Sequence, residues 1–75
     1  MFESRDYWIN TKSLGLVRLS VRKRTGDGFY CAAHKGKDGT YAALHHHLVP
    51  WHCDPAVVQR GLDSYAKRRG LEVAK

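Results

Sequence analysis

From Leu16 to Arg24 apolar and polar positions alternate, with Val17, Leu19 and Val21 on one side and Arg18, Ser20 and Arg22 on the other. A period of two is that of a half-buried strand. Gly26-Asp27-Gly28 is a turn signal and a second lies within Gly36-Lys37-Asp38-Gly39, so residues 29–35 and 40–48 read as the next two strands of a meander. Pro50 and Trp51 end the third strand, and Asp54-Pro55 has the form of a helix N-cap followed by proline at the first helical position. Val58, Leu62, Tyr65 and Ala66 supply the apolar stripe of that helix, and Gly70-Leu71 supplies its stop. The expected fold is α+β: a three-stranded antiparallel β-meander with one C-terminal α-helix packed on one face, in a single domain over residues 1–75. Phe2, Trp8 and Ile9 in the first thirteen residues fit either a short helix or an edge strand. No repeat, linker or low-complexity segment interrupts the chain.

Turn lengths carry the pattern across the sheet. A two-residue type I′ turn at Asp38-Gly39 pairs Ala33 with Leu44, and a three-residue loop at Gly26-Asp27-Gly28 pairs Val21 with Ala33. Phe29, Cys31, Ala33, Ala42, Leu44, His46 and Leu48 then join Val17, Leu19 and Val21 on the core face. The wet face receives Arg18, Ser20, Arg22, Tyr30, Ala32, His34, Tyr41, Ala43, His45 and His47.

Composition narrows the class of partner. The 75 residues carry 13 Lys and Arg against 7 Asp and Glu, a formal charge of +6. Six of the basic side chains fall between residues 16 and 40, where only Asp27 and Asp38 oppose them. A chain with 43% hydrophobic residues can build a core, yet a domain this small retains only about 3–5 kcal/mol from that source. The N-terminus lacks the basic, apolar, small-residue order of a secretion signal, and two cysteines without such a signal predict free thiols and a cytoplasmic location. Apolar runs are far shorter than the ~20 residues a membrane span needs, so no membrane partner is expected.

Arg18, Arg22, Lys23 and Arg24 beside Tyr30 and Tyr41 combine phosphate-binding cations with stacking rings, the mixture that contacts nucleic acid. His34, His45 and His47 share the predicted wet face and complete the expected surface, and two histidines beside a phosphodiester could exchange protons in RNA cleavage. Cys31 and His34, three apart in a strand, project to opposite faces and cannot grip one zinc ion, so no metal is expected. His46 is expected in the core or an interface, and Trp8 and Trp51 in the core. Arg68 and Arg69 suit the macrodipole of the last helical turn.

Gly28-Phe29-Tyr30, Lys37-Asp38-Gly39, His45-His46-His47, a helix from Pro55 and the ending Arg69-Gly70-Leu71 together resemble the small HicA-type toxins over roughly the last two thirds of the chain. The resemblance implies a ribonuclease on a fold similar to double-stranded RNA-binding domains. That family's catalytic histidine precedes the second strand, where this sequence has Asp27. Three strands and a helix are also the shape of the sheet-reading DNA-binding domains of plant AP2 factors and phage integrases, and shape alone does not assign function. The leading expectation is a non-enzymatic nucleic-acid-binding module without a cofactor. Its rivals are a regulatory protein, such as a phage-encoded inhibitor complete from Met1, that docks on an acidic surface of host transcription or defence machinery, and a HicA-like ribonuclease toxin.

Overall fold

Residues 3–74 are described by the computed structural model, in which the chain runs β1 (Asp6–Thr11), β2 (Gly15–Lys23), β3 (Tyr30–Lys35), β4 (Tyr41–Ala43), α1 (Pro55–Arg69) and β5 (Glu72–Ala74). The sheet has five strands in the order β4-β3-β2-β1-β5, with every neighbouring pair antiparallel. The architecture is therefore α+β with one C-terminal helix, but the sheet exceeds the expected three strands at its β1 side. The N-terminal segment is neither helix nor edge: β1 is an inner strand between β2 and β5. Phe2 lies outside the described residues. β5 escaped the pattern because three residues after a helix stop cannot display a period.

The helix forms where its end signals lie. The Asp54 side chain accepts the Ala56 amide, and Gly70 closes the other end in the left-handed region at φ 68°, with Leu71 N–H donating to Ala66 O at 2.9 Å. This is a Schellman closure, which favours glycine because a Cβ is strained there. Val58, Leu62, Tyr65 and Ala66 of α1 meet Tyr7, Leu19, Ala32 and Val49 in one core cluster. Gly61 leaves room for the chain entering the helix, since a Cβ there would lie 3.1 Å from Pro50.

β1 is tied to α1 by a polar cluster. Gln59 accepts the Arg5 amide and donates to the Arg5 carbonyl, both at 3.0 Å, while Asp63 accepts from Tyr7 Oη at 2.6 Å, Gln59 Nε2 at 3.0 Å and Arg5 Nη1 at 3.0 Å. Burial pushes the Asp63 carboxyl up, but the bonds from Tyr7, Gln59 and Arg5 outweigh it and hold the carboxyl below its ordinary value. Burial and the bond to Asp63 raise the Tyr7 phenol.

Both turns differ from expectation by one residue, and each slip reverses a face. Lys23 pairs with Tyr30, and Arg24 N–H bonds Phe29 O, leaving a four-residue loop, Thr25 to Gly28. Val21 consequently faces Ala32, not Ala33. Tyr30, Ala32 and His34 turn to the helix side and Cys31 and Ala33 to the open side, the reverse of the expected arrangement. The second loop is Lys37-Asp38-Gly39, not a two-residue turn: Gly39 N–H bonds Gly36 O, Gly36 N–H bonds Thr40 O, and Gly39 sits at φ 91°. That second slip cancels the first for β4, so Tyr41 and Ala43 remain on the open side with Arg22.

β4 stops at Ala43, well short of the expected end at residue 48. The chain leaves the sheet at Leu44, turns through residues 45–48, and returns at His52, which exchanges both backbone bonds with Tyr30. Val49 fills the core at 0% exposure, while Phe29 and Leu48, both expected inside, are 43% and 44% exposed. His46, expected in the core or an interface, is exposed in the turn.

Candidate functional site

β2 alternates Arg18, Ser20 and Arg22 on the sheet face that α1 leaves uncovered, and Arg24 continues the series beyond the strand end. Ser20, Cys31 and Ala33 form a buried floor of small side chains beneath the long ones. The Arg22 guanidinium spans β3 to lie 4.0 Å from the centre of the Tyr41 ring on β4. Arg18 lies 5.3 Å from the centre of Trp8 on β1, and Arg24 lies 3.8 Å from the centre of Trp51. All three arginines are thus laid over aromatic rings, contacts worth about 0.5–1 kcal/mol each at exposed positions.

Their charges are unequally compensated. Arg18 Nη1 lies 3.7 Å from Asp6, and Arg24 Nε lies 3.2 Å from Asp27. Among the described residues Arg22 has no carboxylate within ion-pair distance. It borders two shallow grooves, one of about 450 Å³ shared with Arg24, Cys31 and Tyr41, the other of about 340 Å³ shared with Trp8, Arg18 and Leu16. Burial pushes the Cys31 thiol up, a shift that Arg24 opposes and Asp27 reinforces. Both cysteines are free, Cys31 buried and Cys53 exposed.

Of the sequence-derived residues, the structure gathers Arg18, Arg22, Arg24 and Tyr41 on the open face. Lys23 alternates to the helix side, although its exposed position at the strand end brings it to the groove rim. Tyr30 and His34, expected on the wet face, lie on the helix side because of the first turn's extra residue; Tyr30 packs against the core, and His34 stands opposite Leu19 and Ala42. His45 and His47 belong to the turn after β4 rather than to a strand, so they do not join His34 on one face. Trp8 and Trp51, expected in the core, are half-buried and carry arginines. The signal for Trp8 was present in the alternation of Tyr7 and Ile9 against Trp8 and Asn10. Trp51 had none, because its place depends on the return of the chain to β3.

The three histidines of the turn stack on one another, with ring centres 4.3 to 4.7 Å apart, and His46 meets Trp51 edge-on at 5.5 Å. Loss of hydration, then the neighbouring His45 and His47, lower the His46 pKa. At the far end of the helix Arg69 lies 5.8 Å from the centre of the Tyr65 ring and takes no part in the open face.

Comparison of the chain with protein-family models, with curated proteins and with solved structures returned no match. Among the described residues no helix is long and apolar enough to cross a membrane.

Proposed function

We propose that the protein is a small nucleic-acid-binding module that takes an extended strand across the open face of its sheet. The observation that carries this reading is the row of three arginines, Arg18 and Arg22 from β2 and Arg24 just past its end, each held over an aromatic ring. Guanidinium groups pinned in this way lose less freedom when they meet a phosphate, and their flat outer surfaces accept an unstacked base. Residues two apart in a strand stand about 6.6–6.8 Å apart, so Arg18, Arg22 and Arg24 spread their contacts along several nucleotides. Arg22 is the central contact, being the one of these three arginines without a carboxylate within ion-pair distance among the described residues.

Leu16, 62% exposed beside Trp8 and Arg18, favours a second reading in which the same face docks on an acidic protein surface. Fluorescence anisotropy with labelled single-stranded RNA and DNA, over a salt series, separates the two. Nucleic-acid binding predicts a fall in log affinity with log salt of about 0.7 per phosphate neutralised on a single strand, and the Arg18→Ala, Arg22→Ala pair should remove about two such contacts. Retention of a lysate protein after nuclease treatment, with no measurable affinity for either strand at low salt, favours the protein partner. A probe that is cleaved instead of merely bound revives the ribonuclease reading.

A further inference from the structure

We propose that His45, His46 and His47 form an exposed binding site for a divalent late transition-metal ion of the zinc class. The ligand nitrogens of the three side chains already lie within 4.8 Å of one another. Around a tetrahedral ion with zinc–nitrogen bonds of 2.0–2.1 Å, donors stand about 3.4 Å apart, and rotations of exposed side chains close that difference.

The backbone makes this possible. In a strand three consecutive residues would point to alternate faces, whereas the turn that ends β4 stacks all three rings together. The turn is held at both ends. His45 O accepts the Leu48 and Val49 amides at 2.8 and 3.3 Å, Val49 is buried in the core, and Trp51 Nε1 donates to Leu44 O at 2.9 Å. His45 Nδ1 accepts the His47 amide at 3.2 Å, a long, exposed bond that a metal bound at that nitrogen displaces. Imidazole donors without thiolate or carboxylate select zinc, copper and nickel over magnesium or calcium. Three protein ligands leave a fourth position for water or for an oxygen of a bound molecule.

The neighbouring His52 and Cys53 offer a rival pair, with Cys53 Sγ 3.9 Å from His52 Nδ1. The experiment is isothermal titration of the untagged chain with zinc chloride near neutral pH, repeated with Co2+ to read the visible absorption of a four-coordinate ion. Wild type should bind one ion per chain, the H45N/H46N/H47N variant none, and the H52N/C53S variant as wild type does. H46N alone should weaken binding by more than the roughly 10–100-fold that loss of an outer-shell partner costs; because His46 is exposed, this variant serves if the triple variant fails to fold. Unchanged zinc affinity in H46N, retention of zinc by a folded triple variant, or loss of zinc from H52N/C53S alone overturns the site.

Discussion

Replacing Asp63 with alanine removes the acceptor shared by Tyr7, Gln59 and Arg5. Tyr7 and Gln59 are 7% and 4% exposed, so the change leaves a hydroxyl and one amide hydrogen of two largely buried side chains without their acceptor. Each buried donor left unpaired costs about 1–3 kcal/mol, which gives about 2–4 kcal/mol for the pair once partial rearrangement is allowed. The exposed Arg5 contact adds little. Against a total of about 3–5 kcal/mol for a domain of this size, Asp63→Ala should bring the protein close to unfolding. Asp63→Asn keeps an acceptor for Tyr7 and should lose about 1 kcal/mol. Urea unfolding followed by tryptophan emission measures both. Because the folded carboxyl is held below its unfolded value, its contribution is complete above the unfolded pKa of about 3.9 and disappears as pH falls through the folded one. The gap between wild type and Asp63→Asn should therefore narrow below about pH 4. An Asp63→Ala protein within about 0.5 kcal/mol of wild type, or a gap that stays constant through that window, would refute this account of how β1 is fastened to the helix.

Leu62→Ala empties a fully buried site and should destabilise by about 2–5 kcal/mol, whereas Leu48→Ala, at a position expected inside but found exposed, should stay within about 0.5 kcal/mol; paired urea titrations check the contrast. Gly70→Ala places a Cβ in the left-handed region at φ 68° and should lose about 1 kcal/mol, seen as a lowered thermal midpoint. In the native protein iodoacetamide should label Cys53 and spare Cys31, whose burial disfavours the thiolate; mass spectrometry gives the site, and equal labelling contradicts the packing of the open face.

The elements whose signals are local were legible: the alternation of β2, the Asp54 and Gly70 ends of the helix and its stripe of Val58, Leu62, Tyr65 and Ala66. Register was not, because it depends on the residue count of each turn. Glycine and aspartate mark a turn without fixing whether it holds three residues or four, and one residue exchanged Tyr30 and His34 for Cys31 and Ala33. Arg18, Arg22 and Tyr41 survived as a group only because two slips cancelled at β4. Trp51 and the histidine stack depend on the excursion between Leu44 and His52, which no periodicity announces: β-propensity continues through Leu48 and Val49, while the closure of the core by Val49 pulls the chain out of the sheet. β5 pairs with β1 from the opposite end of the sequence, a contact that three residues cannot encode.

The most direct measurement of nucleic-acid binding at the open face is a two-dimensional NMR titration of the isotope-labelled protein with a short single-stranded RNA at low salt. The predicted result is a footprint confined to Trp8, Arg18, Arg22, Arg24, Cys31, Ala33 and Tyr41, centred on the Arg22 side chain and absent in the Arg22→Ala protein. Shifts gathered instead on Arg60, Lys67 and Arg68 of the helix, or an unchanged spectrum at saturating RNA, would contradict it.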